Sequence, residues 1–171
     1  VSTPGRVAVI GDIIRDIVVS PEGPIQHDTD TQATINIHFG GSAANTAVWL
    51  GHLGAFVGFA GRVGSTDVSA VRDYFSRFAV DAHIQGDPDH PTGTIVVIVQ
   101  GESRSMLTDR GANTLLDADS IPPDLYEKSA YLHLTGYSFF HNQHPDRLIE
   151  LIDRARATGT RVSLDCSSVG F

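Results

Sequence analysis

Hydrophobic and polar positions along this chain follow two periods. Arg6-Val7-Ala8-Val9-Ile10-Gly11 is almost continuously apolar and closes on glycine, the pattern of a strand buried on both faces of a parallel sheet. The runs 56–60 and 129–136 repeat it, and 161–165 predicts a fourth strand. Between them the period lengthens to that of a helix. Ala44, Ala47, Val48 and Gly51 fall at i, i+3, i+4 and i+7, and Leu53-Gly54 supplies a stop. Val68, Val71, Phe75 and Phe78 share one face of a second helix, with Ser65 or Thr66 placed to cap it. Pro145 to Ala157 predicts a third, ended by Gly159, with Leu148, Ile149, Ile152 and Ala155 facing inward. Gly61-Arg62-Val63-Gly64 reads as a loop.

The segments near 13–19, 34–39, 80–84 and 94–108 alternate instead, which predicts strands with one solvated face. Ser20-Pro21-Glu22-Gly23-Pro24 is a turn, and 94–100, Gly101-Glu102 and 103–108 form a hairpin. Strands alternating with helices imply βαβ units and a parallel sheet, hence an α/β fold. The alternating strands fit a small separate antiparallel layer, drawn from about 13–39 and 80–108. No internal repeat, low-complexity tract or Gly/Ser linker divides the chain, so residues 1–171 are expected to belong to one domain. Asp12, Thr135 and Asp165 fall at strand C-terminal ends, the edge at which open α/β sheets bind ligands.

Chemistry concentrates in Phe39-Gly40-Gly41-Ser42-Ala43-Ala44-Asn45. The glycines and alanines allow close approach to the backbone. The amides opening the helix favour an oxygen-rich or anionic ligand, and Asn45 both donates and accepts toward a hydroxyl. A polar, uncharged ligand such as a sugar fits, against the competing reading of a tight connection before a close-packed helix. Asp16 can accept two hydroxyls at once, or be a solvated edge-strand carboxylate. Gly58, Gly61 and Gly64 do not have dinucleotide-binding spacing, and a Walker A loop is excluded because the only lysine is Lys128. Arg104 and Arg110, on or just after the hairpin, read first as exposed surface residues, with contact to a carboxylate or phosphate as the competing reading. His141 and His144 lack a third ligand, so no metal site is expected, and Cys166 reads as a small apolar filler.

The composition adds exclusions. At 41% hydrophobic and 19% charged, the 171 residues have an ordinary globular make-up. The formal charge of −8 argues against nucleic acid or an anionic membrane as partner. No apolar run approaches the ~20 residues a membrane helix needs. One cysteine and an N-terminus without signal-peptide character point to the cytoplasm.

The stretch Gly40-Gly41-Ser42-Ala43-Ala44-Asn45-Thr46-Ala47, closed by Leu50-Gly51-His52-Leu53-Gly54-Ala55, resembles the first signature of the ribokinase (PfkB) family of carbohydrate kinases. Gly11 followed by Asp16, the run Gly61-Arg62-Val63-Gly64-Ser65-Thr66-Asp67 and the passage Thr108 to Asn113 resemble further family elements. The resemblance implies a ribokinase-like parallel sheet flanked by helices, with a small antiparallel β lid over a sugar. It implies substrate contacts from Asp16, Gly40, Gly41 and Asn45, and a sugar acid or phosphate met by Arg104 or Arg110. Asp165 would lie near the phosphate-transfer site. ATP and Mg2+ are the implied cofactors, for transfer to a sugar's primary alcohol. The family's catalytic Gly-Ala-Gly-Asp element has no counterpart here, so the chain reads as the N-terminal, sugar-binding half, expected to be inactive alone. Ile14 and Ser42 replace the asparagine and lysine common in ribokinases, which leaves the sugar open. A nucleoside kinase of the same superfamily and a non-catalytic sugar-binding protein are the alternatives. The lid edges offer a route to a homodimer.

Overall fold

The computed structural model describes residues 5–168. Along the chain run β1 (Val7–Ile10), β2 (Ile14–Pro21), β3 (Ala33–Gly40), α1 (Ser42–His52), β4 (Val57–Gly64), α2 (Val68–Ser76), β5 (Val80–Asp87), β6 (Thr92–Gln100), β7 (Ser103–Gly111), α3 (Pro123–Glu127), β8 (Tyr131–Thr135), α4 (Tyr137–Phe140), α5 (Pro145–Ala157) and β9 (Arg161–Asp165). They build an α/β architecture of two sheets. One is five-stranded and parallel, in the order β5-β4-β1-β8-β9. The other is four-stranded, in the order β3-β2-β6-β7.

β1 lies at the centre of the parallel sheet and is buried on both faces, as its unbroken apolar run requires. Ala8 and Ile10 point to one side, where Leu132 and Leu134 of β8 meet Leu148, Leu151 and Ala155 of α5. Val9 points to the other, against Ala43, Ala44 and Ala47 of α1 and the rings of Phe59 and Phe75, whose centroids are 4.5 Å apart. The alanines of α1 let it lie close on the sheet, which fixes where its first turn can sit. In α5 the buried residues are Leu148, Leu151 and Ala155, at i, i+3 and i+7. Ile152 packs at the margin and Ile149 is 53% exposed, so the inward stripe is rotated from the expected one.

Expectations change around β4 and α2. Residues 61–64, expected as a loop, continue β4, because 57–64 pair residue for residue with 80–87. The glycines there serve close packing: a side chain on Gly61 would meet the Gly11 carbonyl and the Phe59 ring, and one on Gly64 the backbone of His90 and Thr92. β5, expected in the small layer, is therefore an edge of the parallel sheet. Neither Ser65 nor Thr66 caps α2; residues 65–67 form a single 3-10 turn leading into it.

The small sheet is mixed rather than antiparallel. Its hairpins β2–β3 and β6–β7 are antiparallel, but β2 and β6 pair in parallel, with Arg15 opposite Thr94. A parallel pair needs a long crossover, and here the chain from β3 to β5 supplies it. The outer strands are open on both faces instead of one: Ile35, Ile37, Met106 and Leu107 are all exposed. β9 is likewise mostly exposed, as is Cys166 after it, which is no core filler. Among the described residues, no helix is long and apolar enough to cross a membrane.

Candidate functional site

The small sheet overhangs the C-terminal ends of β1 and β8 and the start of α1, leaving a cleft of about 650 Å³. Its walls come from Asp12 and Asp16, from Gly41, Ser42 and Asn45, from the lid residues Ile95, Val97, Met106, Thr108 and Arg110, and from Tyr137, Asp165, Ser167 and Ser168. The strand period explains the lid's share. Asp16 lies opposite Ile95, Ile95 opposite Thr108, and Val97 opposite Met106, so these side chains point to one face.

At the centre of the cleft floor Asp12 is 6% exposed. Its carboxylate accepts the N–H of Ser42 at 2.8 Å, the N–H of Ala43 at 3.1 Å and the Thr135 hydroxyl at 3.0 Å. Its carbonyl accepts the N–H of Ala44 at 3.1 Å. The amides expected to be open to a ligand at the start of α1 are thus held by this one residue. Gly41, with φ 101°, turns the chain directly above it; a side chain there would come within 2.8 Å of the carboxylate. The helix begins at a glycine with no capping side chain. That is the sequence signal that its donors needed a distant acceptor, and Asp12 was the strand-end carboxylate available.

Asp16 sits one lid strand away, its side chain 20% exposed. Burial pushes its carboxyl upward, the His38 ring 3.8 Å away pulls it back, and Asp12 adds to the rise. Gly40 lies so close to this carboxylate that any side chain would collide with it. Asn45, on the exposed side of the first turn of α1, shares the cleft with Asp16. At the opposite wall the Arg110 guanidinium lies 4.4 Å over the Tyr137 ring. Burial lowers its pKa, while Asp12 and Tyr137 favour its charge. Arg104, opposite Val99 next to the turn at the tip of the hairpin, is exposed and outside the lining. Asp165 lines the far end, and its carboxylate accepts the Ser167 N–H at 2.9 Å. Tyr137 and the apolar patch of Ile95, Val97 and Met106 were not anticipated; only pairing register reveals which lid residues face inward.

Asn113 and Asp67 brace the lid against the core. Asn113 donates to the carbonyls of Ile13 at 2.9 Å and Arg110 at 3.2 Å, and accepts the Ile13 N–H at 3.0 Å. Asp67 takes Arg15 Nη2 at 2.6 Å and the Thr92 hydroxyl at 2.5 Å, so the feet of β2 and β6 meet on one carboxylate. Beside it, Arg62 pairs with Asp87 at 2.9 Å. Burial alone would raise the Asp87 carboxyl, but the Asp89 and His90 amides, the His90 ring and Arg62 hold it well below the usual carboxylate range. Among the described residues, no group of three or more His, Cys, Asp or Glu could hold a metal ion.

A sequence model described as the pfkB family of carbohydrate kinases matches residues 5–169. The 5-dehydro-2-deoxygluconokinase of Mesomycoplasma hyopneumoniae is 28% identical over 133 residues, covering 75% of this chain and 39% of that protein. A sugar kinase of Pyrococcus horikoshii, solved also in complex with ATP, superposes with a TM-score of 0.82 at 23% identity, covering 95% of this chain and 53% of that one. Halothermothrix orenii fructokinase gives a TM-score of 0.78 at 25% identity, over 93% of this chain and 56% of that one. The fold is ribokinase-like, and the chain spans about half the length of these structures and less of its curated relative.

Proposed function

Because the chain belongs to the pfkB family of carbohydrate kinases, we propose that its cleft binds the phosphoryl acceptor, a sugar or sugar acid, of an ATP-dependent kinase acting on a primary alcohol. The observation that carries this is that Asp16, from the lid, and Asn45, from α1, reach the same cleft from two sides. Asp16 accepts hydrogen bonds from adjacent hydroxyls. The Gly41 amide and the Asn45 side chain hold others, and Gly40 leaves room for the Asp16 carboxylate. Arg110 is the group for an acidic substituent, rather than the distant Arg104. A sugar acid is also the class named by the 5-dehydro-2-deoxygluconokinase match.

ATP with Mg2+ supplies the phosphoryl group. The cleft lining of this chain, with Asp12, Asp16 and Asp165 against the single guanidinium of Arg110, does not fit a triphosphate. The nucleotide is therefore assigned to residues outside residues 1–171. This chain positions the acceptor, with its alcohol toward the Asp165 end, and the lid excludes water that would compete for the phosphoryl group. Residues 1–171 alone are expected to release no ADP in the presence of sugar. Asp16→Asn should weaken acceptor binding by about 1–3 kcal/mol, measured by calorimetry against a panel of sugars, sugar acids and adenosine. An unchanged affinity removes Asp16 from the site, and binding of adenosine alone would make the protein a nucleoside kinase.

The outer face of the lid carries Ile17, Val19, Ile35, Ile37, Val96 and Leu107, with Ile37 64% and Leu107 62% exposed. An uncovered apolar sheet face with open edges invites association. We assign this face to a second copy of the chain. Sedimentation should show a dimer that Ile37→Lys converts to monomer; a wild-type monomer at high concentration would refute it.

A further inference from the structure

A helix opens with four N–H groups that lack an acceptor within the helix, and the aligned peptide dipoles give that end about half a positive charge. Left open, such an end is an anion site. In α1, Asp12 takes three of the four: Ser42 and Ala43 by its carboxylate, Ala44 by its carbonyl. The fourth, the Gly41 N–H, is the one Asp12 does not take, and Gly41 is at the wall of the cleft. The full charge of a buried carboxylate thus sits on a partial charge of opposite sign. Asp16 adds a second carboxylate to the same region, and the cation lining the cleft, Arg110, is stacked on Tyr137 on the lid side, where Asp12 favours its charge.

We propose, building on the acceptor-binding reading above, that Asp12 sets the charge specificity of this end of the cleft: it holds Gly41 and Asn45 for neutral hydroxyls and bars an anionic group from the start of α1. Any acidic substituent of the substrate is then confined to the Arg110 end, which gives the acceptor one orientation. Asp12 is a positioning residue here; it touches the helix and Thr135 rather than the ligand. Its carboxylate is shared among two amides and a hydroxyl that come from two different elements, so its place is fixed from both sides of the cleft floor. Asparagine in its place keeps one acceptor for Ser42 or Ala43 and loses the charge.

The test is titration of sodium sulfate into the 15N-labelled chain, following the Ser42 and Ala43 amide signals. The wild type should show no saturable shift at these amides. Asp12→Asn should acquire one, with sulfate bound at least about tenfold more tightly than in the wild type. Thr135→Val, which removes a donor and keeps the charge, should stay silent. A saturable shift in the wild type overturns the proposal, even if Asp12→Asn does not fold. So does a folded Asp12→Asn that ignores sulfate, or a Thr135→Val that binds it, since loosening rather than charge would then be the cause. Calorimetry with fructose and gluconate separates this from the reading beneath it. If no panel ligand binds the wild type, the acceptor assignment fails, while sulfate still decides the role of Asp12.

Discussion

Replacing Gly41 with valine is expected to abolish ligand binding in the cleft and to lower stability by about 3 kcal/mol or more. Two costs add. The backbone at Gly41 has φ 101° and ψ 149°, a conformation that side-chain-bearing residues rarely adopt. A Cβ built there lies 2.8 Å from the Asp12 carboxylate and 2.9 Å from its carbonyl, and Asp12 cannot retreat because it is bonded to Ser42, Ala43 and Thr135. The strain is relieved only by moving the start of α1, which carries Asn45. Gly54→Ala is the control. It has φ 84° with nothing within 4 Å, so it should cost about 1 kcal/mol and leave binding intact. Urea denaturation and calorimetry measure both effects. If Gly41→Val bound its ligand as the wild type does, the close contact between this turn and Asp12 would be wrong.

Asn113→Leu should detach the lid. The amide side chain completes both backbone groups of Ile13, where β1 gives way to β2, and also donates to the Arg110 carbonyl, where β7 returns to the core. Leucine is close in size but leaves the Ile13 N–H and carbonyl without these partners in a part-buried place. The expected loss is about 2–4 kcal/mol. The distinguishing readout is hydrogen exchange. The Ile13 amide and those along β2 and β6 should lose protection by more than those of β1 and β8, because only the lid has lost its brace. A uniform loss across both sheets would show that Asn113 supports the whole fold rather than the hinge. Space is tight as well: a side chain on Gly93 would run into the Asn113 amide and the Arg110 carbonyl, so the three strands of the hinge cannot slide to compensate.

The parallel sheet was legible wherever burial on both faces left an unbroken apolar run, as at Val7–Ile10 and at 57–60 of β4. β5 was misplaced because an edge strand alternates as a lid strand does. Val80 and Ile84 are buried while Asp81 is exposed, and periodicity does not say which sheet it joins. The direction of β6 was equally silent, since parallel and antiparallel strands share a period of two. In the cleft, the residues of Gly40 to Asn45 and Asp16 stood out by type and spacing. Asp12 stood out only as a strand-end carboxylate; its hold on the start of α1 did not, because its partners lie thirty residues away in α1 and further off on β8, and no local pattern joins them. Arg104 and Arg110 looked alike along the chain. Register separates them, leaving one at the tip of a hairpin and the other stacked on Tyr137.

The parallel joint between β2 and β6 also fixes an order of assembly. Each hairpin is closed by a local turn, but the seam between them forms only after the chain from β3 to β5 has been made. During synthesis the first hairpin leaves the ribosome with the β2 edge unpaired and waits for its neighbour until β6 has emerged. Arrest or cleavage in that interval strands half a roof on a core that still lacks β8 and β9, and the unpaired edge of β2 becomes the natural place for chaperones to bind or for aggregates to start.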